Sequence, residues 1–222
     1  MMNRSPETPA PAPAPAPTAG PIHVKCVLVG DNGVGKTSLL IRYTTNLFPG
    51  PDGYTPIVFD NYTQDLGEYH LALWDTHVHE EHDFLRARSY PDTNIFLICF
   101  SVVNRQSFEN AQSRWVDEIS TACPETPWVL VGLKTDRRDG ERDRGGDEGR
   151  MGGMERTESW RRLLAPVTAE EGRRAAQMFG ASAYVECSSE VEGNVRRVFE
   201  EAILASQHPK PKIKQKGCCV VM

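Results

Sequence analysis

One short segment restricts the fold of this chain more than any other. Residues 30–37 read GDNGVGKT and lie between an apolar run typical of a β-strand, Ile22–Val29, and a helical pattern over Lys36–Thr45. This order satisfies the G-x-x-x-x-G-K-[ST] pattern, in which backbone N–H groups and a helix N-terminus converge on phosphate oxygens. The segment therefore predicts a strand, a phosphate-binding loop and a helix in succession.

The residue types in this segment suit phosphate chemistry. Gly30, Gly33 and Gly35 permit the tight backbone, Lys36 can reach the β- and γ-phosphates, and the Thr37 hydroxyl can bind Mg²⁺. The alternative, a glycine-rich turn without a ligand, is disfavoured by the strand–loop–helix setting. We predict contact with the nucleotide for the following residues: Asp31, Asn32, Gly33, Val34, Gly35, Lys36, Thr37 and Ser38.

The rest of the chain alternates short apolar runs with helical spacing. Runs typical of buried strands occupy Ile22–Val29, 69–74, 95–100, 128–131 and 183–187. Helical spacing covers Lys36–Thr45, 107–122, Ala169–Phe179 and 191–206. This alternation predicts an α/β fold with a mainly parallel, doubly wound sheet, which binds its ligand at the carboxyl ends of the strands.

Composition limits what else the chain can be. With 222 residues, 39% hydrophobic and 25% charged, it has the size of one globular domain with added segments. The formal net charge of −5 argues against a generally basic surface, so we expect no nucleic-acid partner. The most apolar run, 95–100, is too short to cross a bilayer. The cysteines include no C-x-x-C pair, which is typical of reduced thiols.

The composition also changes along the chain. Residues 1–21 are rich in proline and alanine, which predicts a disordered arm acting either as a spacer or as a ligand for proline-binding modules. Residues 22–206 form the predicted globular domain. A run of arginine, acidic residues and glycine interrupts it at 137–165 as a solvated insert, and 207–222 form a basic tail.

The motifs occur in the order of a known family. The chain resembles the Rho family of the Ras superfamily, closest to Rac-like and atypical members. The resemblance implies a P-loop NTPase small G domain with a six-stranded, mainly parallel sheet flanked by helices. It spans about Val24 to Met222 on these segments: GDNGVGKTSLLIRYTTNLFPG, YTPIVFDNY, LWDT, LRARSYPDT, VGLKTD, YVECSS and CVVM.

The resemblance implies GTP or GDP as the ligand and assigns base-binding roles residue by residue. Lys134 and Asp136 match the K-x-D motif, in which the aspartate accepts hydrogen bonds from guanine and the lysine stem covers the ring. Ser188 and Ser189 match the element whose backbone meets guanine O6. Phe48 matches an aromatic residue that lies against the edge of the base.

Two metal interpretations arise. The resemblance implies a Mg²⁺ cofactor held by Thr37 and, through water, by Asp75. Separately, the stretch HVHEEH at 77–82, together with His70, has spacing that can bind zinc. We favour a solvent-facing loop over a zinc site for these histidines.

The chain departs from the family pattern at positions important for hydrolysis. Leu133 replaces the Asn or Thr before K-x-D, and Asn32 replaces the second glycine of the phosphate-binding motif. Ile57 stands where a threonine senses the γ-phosphate, and Val78 where a glycine contacts it. His79 occupies the place of the glutamine that orients the attacking water, but its reach and geometry differ from those of glutamine, so we assign no catalytic residue. We therefore predict weakened guanine binding and slow or defective GTP hydrolysis.

The carboxyl-terminal residues predict a lipid anchor. Cys219-Val-Val-Met is a C-a-a-X box for a prenyl group, and Cys218 is a candidate for palmitoylation. Alternating lysines over 210–216 supply attraction to an anionic membrane surface. The expected location is the cytoplasmic face of the plasma membrane or of endomembranes.

The resemblance as a whole implies a membrane-anchored, Rho-like GTP-binding protein. Such a protein acts as a monomer on the actin cytoskeleton and in signal transduction, with effectors, exchange factors and a GDP-dissociation inhibitor as partners. The alternative is a nucleotide-poor pseudo-GTPase that serves as a prenylated interaction or scaffold protein. A P-loop nucleotide kinase is disfavoured because its lid is not evident and because K-x-D, Ser-Ser and CVVM are present.

Overall fold

A computed structural model describes residues 20–49, 61–76, 86–138, 165–191 and 194–208. Six strands form one sheet in the order β2-β3-β1-β4-β5-β6, and only the β2–β3 pair is antiparallel. The strands are β1 (Ile22–Val29), β2 (Asn61–Leu66), β3 (Tyr69–Asp75), β4 (Ile95–Ser101), β5 (Trp128–Leu133) and β6 (Ala183–Glu186). This architecture confirms the predicted α/β fold with a six-stranded, mainly parallel sheet.

Helices cover both faces of the sheet. Helix α2 is continuous and consists of Arg105–Asn110, a π-helical stretch Ala111–Trp115 and Val116–Ala122. The other helices are α1 (Lys36–Thr45), α3 (Ala169–Phe179) and α4 (Val195–Ser206). Helices α1 and α4 pack on one face and α2 and α3 on the other, so two apolar clusters lie on opposite sides of the sheet.

The central strands are buried because helices cover them on both sides. Every residue of β4 and of β5 is buried. Such strands read as continuous apolar runs, which is why the sequence pattern finds them. On α2, the side chains of Phe108, Ala111 and Trp115 face the same cluster, as their spacing predicts. Within the described ranges, no helix is both long and apolar enough to span a bilayer.

Strand β2 differs from the sequence prediction, which placed no strand there. Its sequence NYTQDL is polar, and its side chains alternate between exposed and half-buried positions at the edge of the sheet. A tight turn at Gly67, with φ of 64°, joins it to β3. An apolar run is therefore not needed at this edge, since only one face of β2 packs on the core.

Two helix starts also differ from the prediction. Helix α4 begins at Val195 rather than at 191, because Asn194 adopts a left-handed conformation with φ of 57°. Helix α2 begins at Arg105 rather than at 107, because the Asn104 side chain accepts a hydrogen bond from the Ser107 N–H and caps the helix.

Candidate functional site

The predicted site residues meet at one edge of the sheet. The loop over 30–37 follows β1, Asp75 ends β3, and Lys134 and Asp136 follow β5. Ser188 and Ser189 follow β6 on the same edge. Parallel strands that point the same way bring residues distant in sequence to this edge, where α/β proteins bind their ligands.

The backbone of the phosphate-binding loop (residues 30–37) requires glycine at several positions. Gly30 has φ of 145°, and a Cβ atom there would overlap the carbonyl of Cys99 on β4. Gly33 and Gly35 have φ of 72° and 114°, in the left-handed region, and Gly35 directly precedes α1. These residues allow the chain to turn sharply from the end of β1 into the N-terminus of α1.

Lys36 folds back across this loop. Its Nζ donates hydrogen bonds to the carbonyls of Gly30 at 2.7 Å and Asp31 at 2.9 Å, and the side chain is buried. Burial lowers the pKa of Lys36 from its ordinary value, while the nearby carboxylate of Asp75 acts in the opposite direction. The ammonium group is thus held above the start of a helix, an arrangement that fits polyphosphate.

Thr37 and Asp75 supply oxygen atoms for a metal ion. The Thr37 Oγ1 donates to Asp75 Oδ2 at 2.5 Å, and the Asp75 residue is buried. Next to it, the buried Thr76 hydroxyl donates to the carbonyl of Leu28 and fixes the end of β3 against β1. A hydroxyl and a carboxylate beside a phosphate-binding loop match the oxygen ligands that Mg²⁺ prefers. The residues present therefore fit this metal.

A pocket of about 160 Å³ lies beside the loop. Its lining comprises Gly35, Ser38, Phe48, Leu133, Lys134, Asp136, Arg137, Ser189 and Glu190. Lys134 has φ of 63°, and its Nζ donates to the Gly33 carbonyl at 2.5 Å, so its stem bridges the pocket and the phosphate-binding loop. Burial lowers the pKa of Lys134, and the charge of Arg137 adds to this effect.

A hydrogen bond fixes the carboxylate of Asp136. Ser188 Oγ donates to Asp136 Oδ1 at 2.5 Å, and it accepts from the N–H groups of Glu190 at 3.2 Å and Val191 at 3.0 Å. The Ser188 side chain therefore orders both the acidic group and the turn after β6. An ordered carboxylate in a small pocket can accept hydrogen bonds from two adjacent N–H groups of a planar ring.

Leu133 gives this pocket an aliphatic wall. It is buried, and its Cδ1 lies 3.7 Å from the position that a Cβ of Gly35 would occupy. A leucine offers no hydrogen bond at this place, whereas an asparagine or threonine would. Phe48 lines the same pocket and has 39% of its surface exposed.

The structure brings almost all the predicted nucleotide-binding residues together, with one notable difference. The side chain of Asp31 turns away from the pocket and bonds to Asn110 and Trp115 of α2. Its contribution to a phosphate can therefore come only through its backbone. Sequence reasoning missed Arg137 and Glu190, although each is adjacent to a motif residue and lines the pocket.

Several predicted residues lie outside the described ranges. These are Ile57, Val78, His79, Cys218 and Cys219, and their assignments stay predictions. The proposed histidine-rich stretch at 77–82 also lies outside. Among the described residues, no group of three or more histidine, cysteine or acidic side chains is arranged to hold a metal. Most of the arm, residues 1–19, and most of the insert, residues 139–164, also lie outside the described ranges.

Comparison with known proteins agrees with this geometry. Residues 25–208 match the sequence model of the Ras family. The match includes all the described helices and all six strands, apart from the first three residues of β1. Members of this family are small GTPases that bind GTP or GDP with Mg²⁺. The chain, with its phosphate-binding loop, its oxygen pair and its adjacent pocket in one domain, belongs to the Ras family of small GTP-binding signalling proteins.

Proposed function

We propose that this chain is a Rho-like small GTP-binding protein whose GTP hydrolysis is impaired. The guanine-nucleotide assignment rests on two adjoining half-sites. The phosphate half-site consists of Lys36, Thr37 and Asp75, and the base half-site consists of Lys134 and Asp136. The hydrogen bond from Lys134 to the Gly33 carbonyl links the base half-site to the phosphate-binding loop. The Rho assignment is supported by the segments YTPIVFDNY and LRARSYPDT and by the position of the insert after Asp136.

The phosphate half-site would bind the charged part of the nucleotide. The N–H groups at the start of α1 and the Lys36 ammonium group face the loop that receives phosphate oxygens. Mg²⁺, when bound, would neutralise charge on the β- and γ-phosphates. Thr37 and Asp75 already lie within hydrogen-bond distance of one another, so they can serve the same ion.

The base half-site favours guanine. The Asp136 carboxylate is an acceptor and can pair with the N1–H and N2–H₂ groups of guanine, which adenine does not present in that arrangement. Lys134 and Ser189 line the same pocket, and Ser188 donates to the Asp136 carboxylate. Leu133 removes a hydrogen-bonding anchor from this wall, which weakens the affinity and leaves the choice of base intact.

Slow hydrolysis follows from several replacements acting together. Asn32 adds a side chain to the phosphate-binding loop, and Ile57 and Val78 remove contacts to the γ-phosphate. His79 replaces the glutamine that orients water. Because an activating arginine works on a water that is already positioned, we also expect a poor response to activating proteins. A protein of this kind stays in the GTP state and signals through effectors until an exchange or release event.

Membrane attachment completes the proposal. The domain over 22–206, which the insert 137–165 interrupts and the arm 1–21 precedes in sequence, would carry the nucleotide. The tail 207–222 would attach it to a membrane. Cys219 would receive a prenyl group and Cys218 a second lipid. The lysines would be attracted to an anionic leaflet. A Cys219→Ser variant should move from the membrane fraction to the soluble fraction. An unchanged distribution would contradict the anchor.

A pseudo-GTPase that acts as a prenylated scaffold is the second candidate, and the aliphatic wall at Leu133 is the observation that favours it. Titration of the whole chain with fluorescent GTP, GDP and ATP in the presence of Mg²⁺ separates the two. Submicromolar binding of both guanine nucleotides, with ATP excluded, supports the first function. Binding of none supports the scaffold. An Asp136→Ala variant controls for binding elsewhere and should lose guanine affinity.

A further inference from the structure

The phosphate-binding loop is fastened to α2 through Asp31. One carboxylate oxygen, Oδ1, accepts a hydrogen bond from Trp115 Nε1 at 2.8 Å, and the other, Oδ2, accepts from Asn110 Nδ2 at 2.7 Å. The backbone carbonyl of the same Asp31 accepts from Lys36 Nζ. The side chain of Asp31 is therefore bound by α2, while its backbone carbonyl binds Lys36 of the phosphate site.

The π-helical stretch of α2 explains how both donors reach Asp31. Asn110 and Trp115 are five residues apart, and in a regular α-helix residues five apart differ by about 140° around the axis. In the π-helical stretch Ala111–Trp115 the backbone bonds in an i to i+5 pattern, which brings residues five apart toward one side. A regular helix would turn one of the two donors away from the loop.

The same tryptophan also contacts a second segment. The guanidinium of Arg86 lies over the Trp115 ring, 4.9 Å from its centre. Arg86 is buried and donates to both oxygens of Glu118 on α2, each at 2.8 Å, and Tyr90 Oη donates to Glu118 at 2.6 Å. Arg86 follows residues 77–85 directly in the chain, the segment that contains Val78 and His79.

We infer that Trp115 is a positioning residue for the nucleotide site. It acts through Asp31, whose carboxylate it anchors, and so keeps the Gly30 and Asp31 carbonyls where they hold Lys36. Because the guanidinium of Arg86 also lies over the Trp115 ring, the phosphate-binding loop and Arg86 contact the same side chain. This inference rests on the proposed binding of guanine nucleotide, and it adds that nucleotide retention depends on α2.

The test compares Trp115→Phe with Trp128→Phe in the full chain. Phenylalanine keeps an aromatic ring in the core but removes the indole N–H, which leaves Asp31 Oδ1 without that donor. Trp128 is also buried, but it is the first residue of β5 and so lies at the end of that strand opposite to the nucleotide site. The release rate of a fluorescent GDP analogue should rise about tenfold or more in Trp115→Phe, since a lost hydrogen bond to a charged group costs this much. Trp128→Phe should release the analogue at the wild-type rate.

A second measurement does not require nucleotide. Amide hydrogen exchange over 30–37 in the nucleotide-free protein should be faster in Trp115→Phe than in Trp128→Phe. Equal exchange in the two variants would overturn the inference whether or not the wild type binds nucleotide. If the wild type binds no guanine nucleotide, the proposed function fails and the exchange comparison still decides the positioning role.

A milder pair of variants covers the case in which Trp115→Phe does not fold. Asn110→Ala removes the other donor to Asp31, and Ser113→Ala removes an exposed hydroxyl on the same helix as its control. Faster loop exchange and faster release in Asn110→Ala alone would support the inference. Identical behaviour of these two variants would contradict it.

Discussion

Thr37 in the first turn of α1 and Asp75 at the end of β3 are joined by a hydrogen bond of 2.5 Å. They lie 38 residues apart in the chain, and the parallel pairing of β1 with β3 brings them together. The bond places a hydroxyl and a carboxylate beside the ammonium group of Lys36. This cluster explains why the loop can take a polyphosphate together with a hard metal ion.

Thr37→Ala should weaken the retention of Mg²⁺ and speed nucleotide release. The variant removes an oxygen ligand and also the hydrogen bond that orients Asp75, and changes of this kind cost metal affinity about 10- to 100-fold. The measurement is the Mg²⁺ dependence of GDP-analogue release. Thr44→Ala, a matched change near the end of the same helix where the hydroxyl bonds to the Leu40 carbonyl, should have no effect on it. Equal Mg²⁺ dependence in the two variants would refute the metal assignment.

Leu133→Thr should tighten guanine binding. The hydroxyl would restore a hydrogen-bonding group to the pocket wall, and one such bond is worth about 0.5–1.5 kcal/mol, or roughly 2- to 12-fold in affinity. Leu133→Val is the matched control because valine has the shape of threonine without the hydroxyl. Equilibrium titration with fluorescent GDP checks the difference. If threonine and valine bind GDP equally, the leucine is not what limits the affinity.

Glu118→Gln should destabilise the fold strongly. Arg86 is 2% exposed, and the variant replaces the carboxylate that accepts two of its hydrogen bonds with a neutral amide. Breaking a buried ion pair costs about 3–5 kcal/mol, although Glu118 is partly exposed and the lower end is expected. The control is Glu170→Gln, which breaks an exposed pair with Arg174 and should cost no more than about 0.5 kcal/mol. Urea unfolding of the two variants measures the contrast, and similar losses would show that the Arg86 pair is not buried in solution.

The Arg105–Glu171 pair should make the free energy of unfolding depend on pH in the acidic range. Hydrogen bonds from Arg105 lower the pKa of Glu171 from 4.5 to about 2, with Thr168 contributing in the same direction. The stabilisation is therefore complete above pH 4.5 and is lost as the pH falls toward 2, because the unfolded chain then binds the proton first. Glu171→Gln keeps a side chain suited to the capping box but removes the charge.

Urea midpoints of the wild type and of Glu171→Gln should consequently differ most at neutral pH. The gap between the two proteins should narrow steadily below pH 4.5. A gap that stays constant from neutral pH down to pH 3 would mean that the charge of Glu171 contributes nothing to folding.

Much of the fold could be predicted because the central strands are uniformly apolar. The runs in β1 and β4 coincide with the observed strands to within one residue. Strand β2 could not be predicted from such runs, because its polar side chains are held in the sheet by backbone pairing with β3. The left-handed Asn194 likewise leaves no periodic signal, so helical spacing alone predicts the start of α4 too early in the chain.

The positions of the candidate site residues could be predicted where a motif is continuous in sequence, and not where a contact depends on a partner distant in the chain. GDNGVGKT and the K-x-D motif carry their own spacing, and the structure brings them together at one edge of the sheet. The bond between Asp31 and Trp115 spans 84 residues and depends on a π-helical turn that has no sequence signature. Arg137 and Glu190 line the pocket because each is next to a motif residue in the chain, and they belong to no motif themselves.

Impaired GTP hydrolysis is tested most directly by single-turnover phosphate release from the GTP-loaded wild type and from a variant with Ile57→Thr, Val78→Gly and His79→Gln. We expect the wild type to bind GTP but to release phosphate well below the unaided rate of Ras, which is of the order of 10⁻⁴ s⁻¹. The triple variant should release it faster. Phosphate release by the wild type at or above that rate would contradict impaired hydrolysis.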